Sequence, residues 1–234
     1  MIVKCLGSSS KGNCYVLTHQ NKHLILEAGI KVNDALKSIN FDLSNIIGLL
    51  VTHEHMDHAK YIKEWLSKGV NVYLTHGTAD VLGIKHFNLN KIETNSTFEL
   101  ENIRIRSFKT FHDVAEPVGY LIEFNDFGKV LFETDTYKSP YKFKGVRLFL
   151  KEANYSKKLL LSNSNPYRDR VVGSHMEIET TIKTLKHQID EQTEMIILVH
   201  LSDGHSNAEE FKQKVISSIG IPTMIADKGV EIEL

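Results

Sequence analysis

Apolar residues along the chain fall into short runs broken by Gly, Asn and Asp, and their periods predict a mixture of strands and helices. Residues 14–18 and 23–27 are short and β-prone, each bounded by Gly or Asn. Residues 45–52 (Asn-Ile-Ile-Gly-Leu-Leu-Val-Thr) are apolar at odd and even positions alike, the pattern of a strand buried on both faces. Helical spacing follows over 59–66, where Tyr61, Ile62, Trp65 and Leu66 share a face, and a second strand and helix are predicted at 70–75 and 78–83. The middle reads as a meander of 103–108, 118–124 and 129–133, with Asn125-Asp-Phe-Gly128 as a hairpin turn. A strand at 146–151, a helix at 177–188, a buried strand at 195–199, a helix at 208–219 and a closing hairpin at 223–233 complete the pattern. Strands and helices mix in both halves, which two packed sheets with helices outside would satisfy.

Composition narrows the class. The 234 residues are enough to bury a substantial core, and with no repeat or low-complexity tract they read as one domain over 1–234. At 41% hydrophobic and a net charge of -1, the chain fits neither a disordered segment nor a uniformly basic nucleic-acid coat. No run approaches the roughly 20 apolar residues of a membrane span, and the amino terminus turns polar by Ser8, without a signal-peptide core. Cys5 and Cys14 form no C-x-x-C motif, which leaves a cysteine zinc finger and a disulfide framework without support. Two thiols in an untargeted chain are expected in a reducing, cytoplasmic setting, as small buried hydrophobes.

The unusual count is 12 His. Three of them fall in His53-Glu-His55-Met-Asp57-His58, directly after the buried strand and before an amphipathic helix. At a strand end His53 and His55 project to one side, and the turn into the helix lets Asp57 and His58 face the same cavity. Imidazole and carboxylate in that density suit a first-row metal, zinc ahead of manganese or iron.

This H-x-H-x-D-H string resembles the hallmark of the metallo-β-lactamase fold. Gly7-Ser-Ser-Ser-Lys-Gly-Asn-Cys-Tyr15, Phe111-His112-Asp113, Glu116-Pro-Val-Gly-Tyr120, Glu133-Thr-Asp135-Thr, Glu152-Ala-Asn and His200-Leu-Ser202 extend the likeness to the YycJ (WalJ) exonuclease-like branch, which is similar to ribonuclease Z. The resemblance implies an α/β (α+β) fold, an αββα sandwich of two mixed sheets flanked by helices. It also implies two divalent metal ions, zinc foremost and manganese second, one held by His53, His55 and His112 and the other by Asp57, His58 and His200, with Asp135 bridging. Each of the distant residues follows an apolar run, which agrees with ligands gathered at strand ends.

The resemblance further implies catalysis by Asp57 and by Glu152 with His175, the last two as a proton-donating pair like that of ribonuclease Z-like enzymes, in which the carboxylate keeps the imidazole protonated. Two metal ions about 4 Å apart would activate water and clamp a phosphate oxygen. The chain departs from the branch at Glu27, where relatives usually carry Asp and where the side chain is expected to orient a ligand histidine. It departs again at Gly173-Ser-His175-Met-Glu, in place of Gly-His-Leu-Ser-Asn, and at His205, in place of Asn.

Between Lys138 and Arg170 nine basic residues face two acidic ones, a local charge of +7 that the rest of the chain cancels. Tyr137, Tyr141, Tyr155 and Tyr167 interleave with these cations, and Lys151, Tyr155, Arg168 and Arg170 are the expected substrate contacts. An anionic substrate follows. The first reading is a nuclease acting on nucleic acid. The alternatives are a phosphodiesterase for cyclic nucleotides, as in some phage-encoded relatives of ribonuclease Z, and a non-catalytic binding protein on the same fold, which a complete ligand set disfavours. Analogy with ribonuclease Z leaves a homodimer open.

Overall fold

The computed structural model describes residues 1–162 and 168–234, so Tyr167 lies outside the described residues. The chain starts with antiparallel strands β1 (Ile2–Ser9), β2 (Gly12–His19) and β3 (Lys22–Leu26), followed by helix α1 (Val32–Ser38). Strand β4 (Ile46–Leu50) runs parallel to β3 and leads into the short helices α2 (Met56–Ala59) and α3 (Ile62–Ser67). Strand β5 (Val72–Thr75), helix α4 (His76–Leu82) and strand β6 (Leu89–Ile92) complete that half. The second half holds β7 (Thr97–Leu100), β8 (Ile103–Lys109), β9 (Val118–Phe124), β10 (Gly128–Glu133) and β11 (Val146–Glu152), then helices α5 (Lys157–Ser162), α6 (Arg168–Ser174) and α7 (Ile178–Gln188). Strand β12 (Met195–Val199), helix α8 (Ala208–Ile219) and strands β13 (Thr223–Ile225) and β14 (Glu231–Glu233) end the chain.

Two seven-stranded mixed sheets result, in the orders β14-β1-β2-β3-β4-β5-β6 and β13-β12-β11-β10-β9-β8-β7. Their facing sides share a core in which Tyr15, Leu24 and Leu26 of one sheet meet Tyr120, Phe132 and Leu150 of the other. The outer face of the first sheet is covered by Val32, Leu36, Ile62 and Trp65 from α1 and α3, and that of the second by Ile178, Leu185, Phe211 and Val215 from α7 and α8. This is the expected αββα sandwich. Apolar runs without alternation, as in β4 and β12, become strands because both of their faces are covered. Helix ends are set locally: the Asn207 side chain accepts the Glu210 N–H at the start of α8, and Gly220 ends it at φ 79°.

Three expectations change. The single helix over 59–66 is two, because the turn carrying Asp57 and His58 is itself helical and the chain kinks at Lys60 and Tyr61 before α3. The closing hairpin does not form: β13 pairs in parallel with β12, whereas β14 pairs antiparallel with β1 in the opposite sheet. Splitting the two strands puts a short strand at one edge of each sheet, whereas a hairpin of two short strands is marginal on its own. Strands β1, β6 and β7 and helices α1, α5 and α6 lie where no strong period was read.

Lys151, expected as a substrate contact, lies in the interior. It sits opposite Glu133 in the β10–β11 register, is wholly buried, and its Nζ engages the Glu133 carboxylate. Removing one partner of a buried pair strands the other charge, so Lys151→Ala is expected to lower stability by about 3–5 kcal/mol in urea unfolding. The double variant Glu133→Leu/Lys151→Met recovers most of that loss if burial of the unpaired carboxylate is the cause.

Candidate metal centre

The chemistry-bearing residues gather at strand ends on one edge of the sandwich. β4 delivers Thr52, His53 and His55, and α2 carries Asp57 and His58. β10 ends before Asp135, β11 ends on Glu152, and β12 ends before His200. Glu27, Asp135 and His200 each leave their strand with positive φ, at 69°, 47° and 55°. That conformation costs a non-glycine residue energy, and here it lies at each of three strand ends where the chain turns at the cluster.

His53, His55 and His112 bring nitrogen donors within 4.8 Å of one another. His53 Nε2 and His112 Nε2 lie 3.0 and 3.1 Å from His55 Nδ1. The Thr52 hydroxyl donates to Glu27 Oε1 at 2.6 Å and therefore accepts from His53 Nδ1 at 2.9 Å, which leaves the Nε2 lone pair facing inward. His112 Nδ1 donates to the Ser174 carbonyl at 2.9 Å with the same result. Burial, then the neighbouring His58, holds His53 well below the usual imidazole range; burial and the nearby His112 lower His55. Both can offer a lone pair near neutral pH without first losing a proton.

The second cluster is richer in acid. Asp57, His58 and His200 bring donors within the same 4.8 Å limit, as do His53, His58 and Asp135. Asp135 Oδ2 lies 2.9 Å from His58 Nε2, while its Oδ1 lies 3.3 Å from His200 Nδ1 and 3.2 Å from His175 Nδ1. Asp57 Oδ2 lies 3.2 Å from His58 Nε2 and 3.3 Å from His200 Nε2. Burial opposes charge here, but Asp135 and Glu27 outweigh it and hold His58 well above its usual range. In the same way burial is overcome at His200, raised to about 9, chiefly by Asp135. Burial would raise Asp57 and Asp135, yet the surrounding histidines keep both carboxyls well below the usual range. Neutral nitrogen donors on one side and mixed nitrogen and carboxylate donors on the other fit two divalent cations, with Asp135 in reach of both.

Glu27 orients His53 through Thr52, and its Oε1 also lies 3.2 Å from His58 Nδ1, so one carboxylate addresses both clusters. His175 sits between α6 and α7, with Nδ1 2.7 Å from Glu152 Oε1. Burial disfavours its charge, but Glu152 and then Asp135 raise it to about 10. The Glu152 carboxylate is fixed from behind by the Thr136 and Met176 N–H groups at 2.9 and 3.3 Å. Glu152, His175, Asp135 and His200 also lie within 4.8 Å of one another, so the pair adjoins the second cluster directly.

A cavity of about 500 Å³ opens onto these groups, lined by His55, Asp57, Asp135, His175 and His200 among others. Arg170 lines it too: its Nε donates to Asp113 Oδ2 at 2.9 Å, and its guanidinium reaches within 3.4 Å of His55 Nε2. The wider basic wall does not assemble. Lys151 and Tyr155 are buried, and Arg168 turns to its neighbour Asp169 at 3.4 Å. Lys142 and Lys144 border a separate cavity beside Asp190 and Glu191, and Arg147 pairs with Glu194. Charge that is contiguous in sequence is dispersed because β11 carries the middle of the segment into the core.

Sequence reasoning assigned no role to Asn13 or Asn154. Buried Asn13 reaches His58 Nε2 at 3.1 Å and Asp57 Oδ2 at 3.2 Å, and Asn154 donates to the His200 carbonyl at 2.8 Å. The available signal was weak: Asn13 opens the apolar run 14–17 and Asn154 stands two residues after Glu152, and a buried amide needs partners. Gly29 is required by close approach: a Cβ there would lie 1.8 Å from the Asp57 carbonyl oxygen and 2.6 Å from Asn13 N. Gly29→Ala is therefore expected to push the His53–His58 loop off its seat, costing about 3 kcal/mol in thermal unfolding and lowering bound metal by elemental analysis. Unchanged metal content would show that the loop can yield.

The family model of the metallo-beta-lactamase superfamily matches residues 10–200, and the chain belongs to that superfamily as a metal-dependent hydrolase. Among curated relatives it is 28% identical to an exodeoxyribonuclease YycJ of Bacillus anthracis, over 96% of this chain and 89% of that protein. It is 26% identical to an exodeoxyribonuclease WalJ of Streptococcus pneumoniae, over 97% and 90%. The fold matches the metallo-beta-lactamase fold protein YhfI of Bacillus subtilis with a TM-score of 0.76 at 14% identity, covering 100% and 99% of the two chains. Among the described residues no helix is long and apolar enough to cross a membrane.

Proposed function

We propose that the chain hydrolyses phosphodiester bonds of nucleic acid as an exonuclease, with one divalent ion held by His53, His55 and His112, a second by Asp57, His58 and His200, and Asp135 shared. The observation that carries this reading is His175, which lines the same cavity as His55, Asp57, Asp135 and His200 and lies 2.7 Å from the buried carboxylate of Glu152. Likeness to two exodeoxyribonucleases along nearly the full chain supports nucleic acid as the substrate. Zinc is the ion favoured by five imidazole donors, with manganese as the second choice.

Bound, the two ions would supply water activation and neutralise charge on the phosphate oxygens. The protein's own groups do the rest. Glu152 and Asp135 hold His175 through Nδ1, which leaves Nε2 as the nitrogen that hands a proton to the departing sugar oxygen. Glu27 and Thr52 hold His53 in one tautomer, and Ser174 does so for His112. Arg170, at the cavity wall, is placed to meet a phosphate oxygen once it exchanges Asp113 for substrate.

The test incubates zinc- or manganese-loaded protein with linear DNA, RNA and cyclic mononucleotides beside Asp57→Ala/His58→Ala. Progressive shortening of DNA from its ends, absent in the variant, is expected. Turnover of cyclic mononucleotides alone would replace the nuclease reading with the second phosphodiesterase reading. Fewer than two ions per chain by elemental analysis would remove the dinuclear assignment.

A further inference from the structure

We propose that the metal cavity is one half of a longer groove, and that its other half seats the adjoining nucleotide of a polynucleotide strand, with Lys11 and Lys228 meeting that nucleotide's phosphate. The inference rests on the phosphodiesterase reading above and names the class of substrate within it.

A second cavity, also of about 500 Å³, adjoins the first: Leu201 and Ser202 line both. Its walls come from the turn between β1 and β2, the segment between β12 and α8, and the crossing between β13 and β14. Pockets on the order of 300–1,000 Å³ each house one small ligand. Two in series, joined beside His200, suit a chain of linked nucleotides, whereas a cyclic mononucleotide would fill one and leave the other without purpose.

The lining has the amphipathic character a nucleotide requires. Leu6, Ile30 and Ile225 present apolar surface for sugar and base, and Ser9, Ser202 and Ser206 present hydroxyl groups. Lys11 and Lys228 supply the cations, and Asp203 and Asp227 balance them. Lys11 Nζ lies 2.6 Å from Asp203 Oδ2, with side chains 82% and 57% exposed. Such an exposed pair holds little energy and can trade its carboxylate for a phosphate. Asp227 Oδ1 is engaged by the Lys228 backbone N–H at 2.7 Å. Arg170 lines the metal cavity and the two lysines line the adjoining one, so cations occur along both halves of the groove.

The experiment measures fluorescence anisotropy of a short single-stranded phosphorothioate oligodeoxynucleotide with metal-loaded protein across a salt series. Lys11→Glu/Lys228→Glu is expected to weaken binding about tenfold and to lower the slope of log affinity against log salt by about one to two. Hydrolysis of bis(p-nitrophenyl) phosphate, too small to leave the metal cavity, reports whether that cavity is intact in the variant. Wild-type affinity and slope in the double variant, or no oligonucleotide binding by the wild-type protein, overturns the groove. Lysine-dependent binding with no hydrolysis of bis(p-nitrophenyl) phosphate or of the unmodified oligodeoxynucleotide upholds the groove and overturns the proposed reaction instead.

Discussion

Asp135→Asn is expected to leave at most one divalent ion per chain and to lower phosphodiester turnover by about 10³-fold, a barrier increase of about 4 kcal/mol. Asp135 is buried and brings a donor within 4.8 Å of both His53 of the first cluster and His58 of the second, lying 2.9 Å from His58 and 3.3 Å from His200. Its charge is the main influence holding His58 and His200 up against burial, so its removal changes the electrostatics of the whole centre. Asn is the informative replacement because Asp135 has φ 47°, a conformation that Asn tolerates better than most residues. The backbone turn then survives and the loss reports charge alone. Two ions per chain with wild-type turnover would show that Asp135 does not bridge.

His175→Ala is expected to lower turnover by about 10²- to 10⁴-fold while metal content stays at the wild-type level. The two measurements together decide the role, because His175 is close enough to Asp135, Glu152 and His200 to serve as a ligand. Loss of metal along with activity would make it a ligand and not a proton donor. The pH profile adds a second criterion. A donor must be protonated, so activity falls as pH rises through the His175 pKa, which Glu152 and Asp135 raise to about 10 against burial. Bound cations oppose that rise. Glu152→Gln removes the carboxylate charge and so moves the alkaline limb toward lower pH, while the amide oxygen can still accept from the Thr136 and Met176 N–H groups.

Much of the centre was legible because its residues announce themselves by type and place. His53, His55, Asp57 and His58 stand together after an apolar run, and a buried strand that ends in imidazoles has few other uses. His112, Asp135, Glu152, His175 and His200 required the resemblance, since each alone is an ordinary polar residue at a strand end or between two helices. The basic segment misled for a physical reason: local charge says nothing about which face a side chain takes. Lys151 is interior because both faces of its strand are covered, with Leu150 in one core and Phe149 in the other, and Glu133 lies opposite. The supposed final hairpin misled similarly, because short strands pair with whichever sheet edge is open.

Sequence alone determined the donor chemistry and the alternation of strands and helices, since both follow from side-chain type and from periods read over a few residues. Tertiary structure decided the rest. It turned Asp135 and His200 inward through left-handed backbone, set Glu27 beside His58 and Thr52, and required Gly29 to be bare against the Asp57 carbonyl. It also scattered the lysines and placed a second cavity beside the metal centre. Those features depend on contacts between residues far apart in the chain, whose distances only the packing of two sheets can fix.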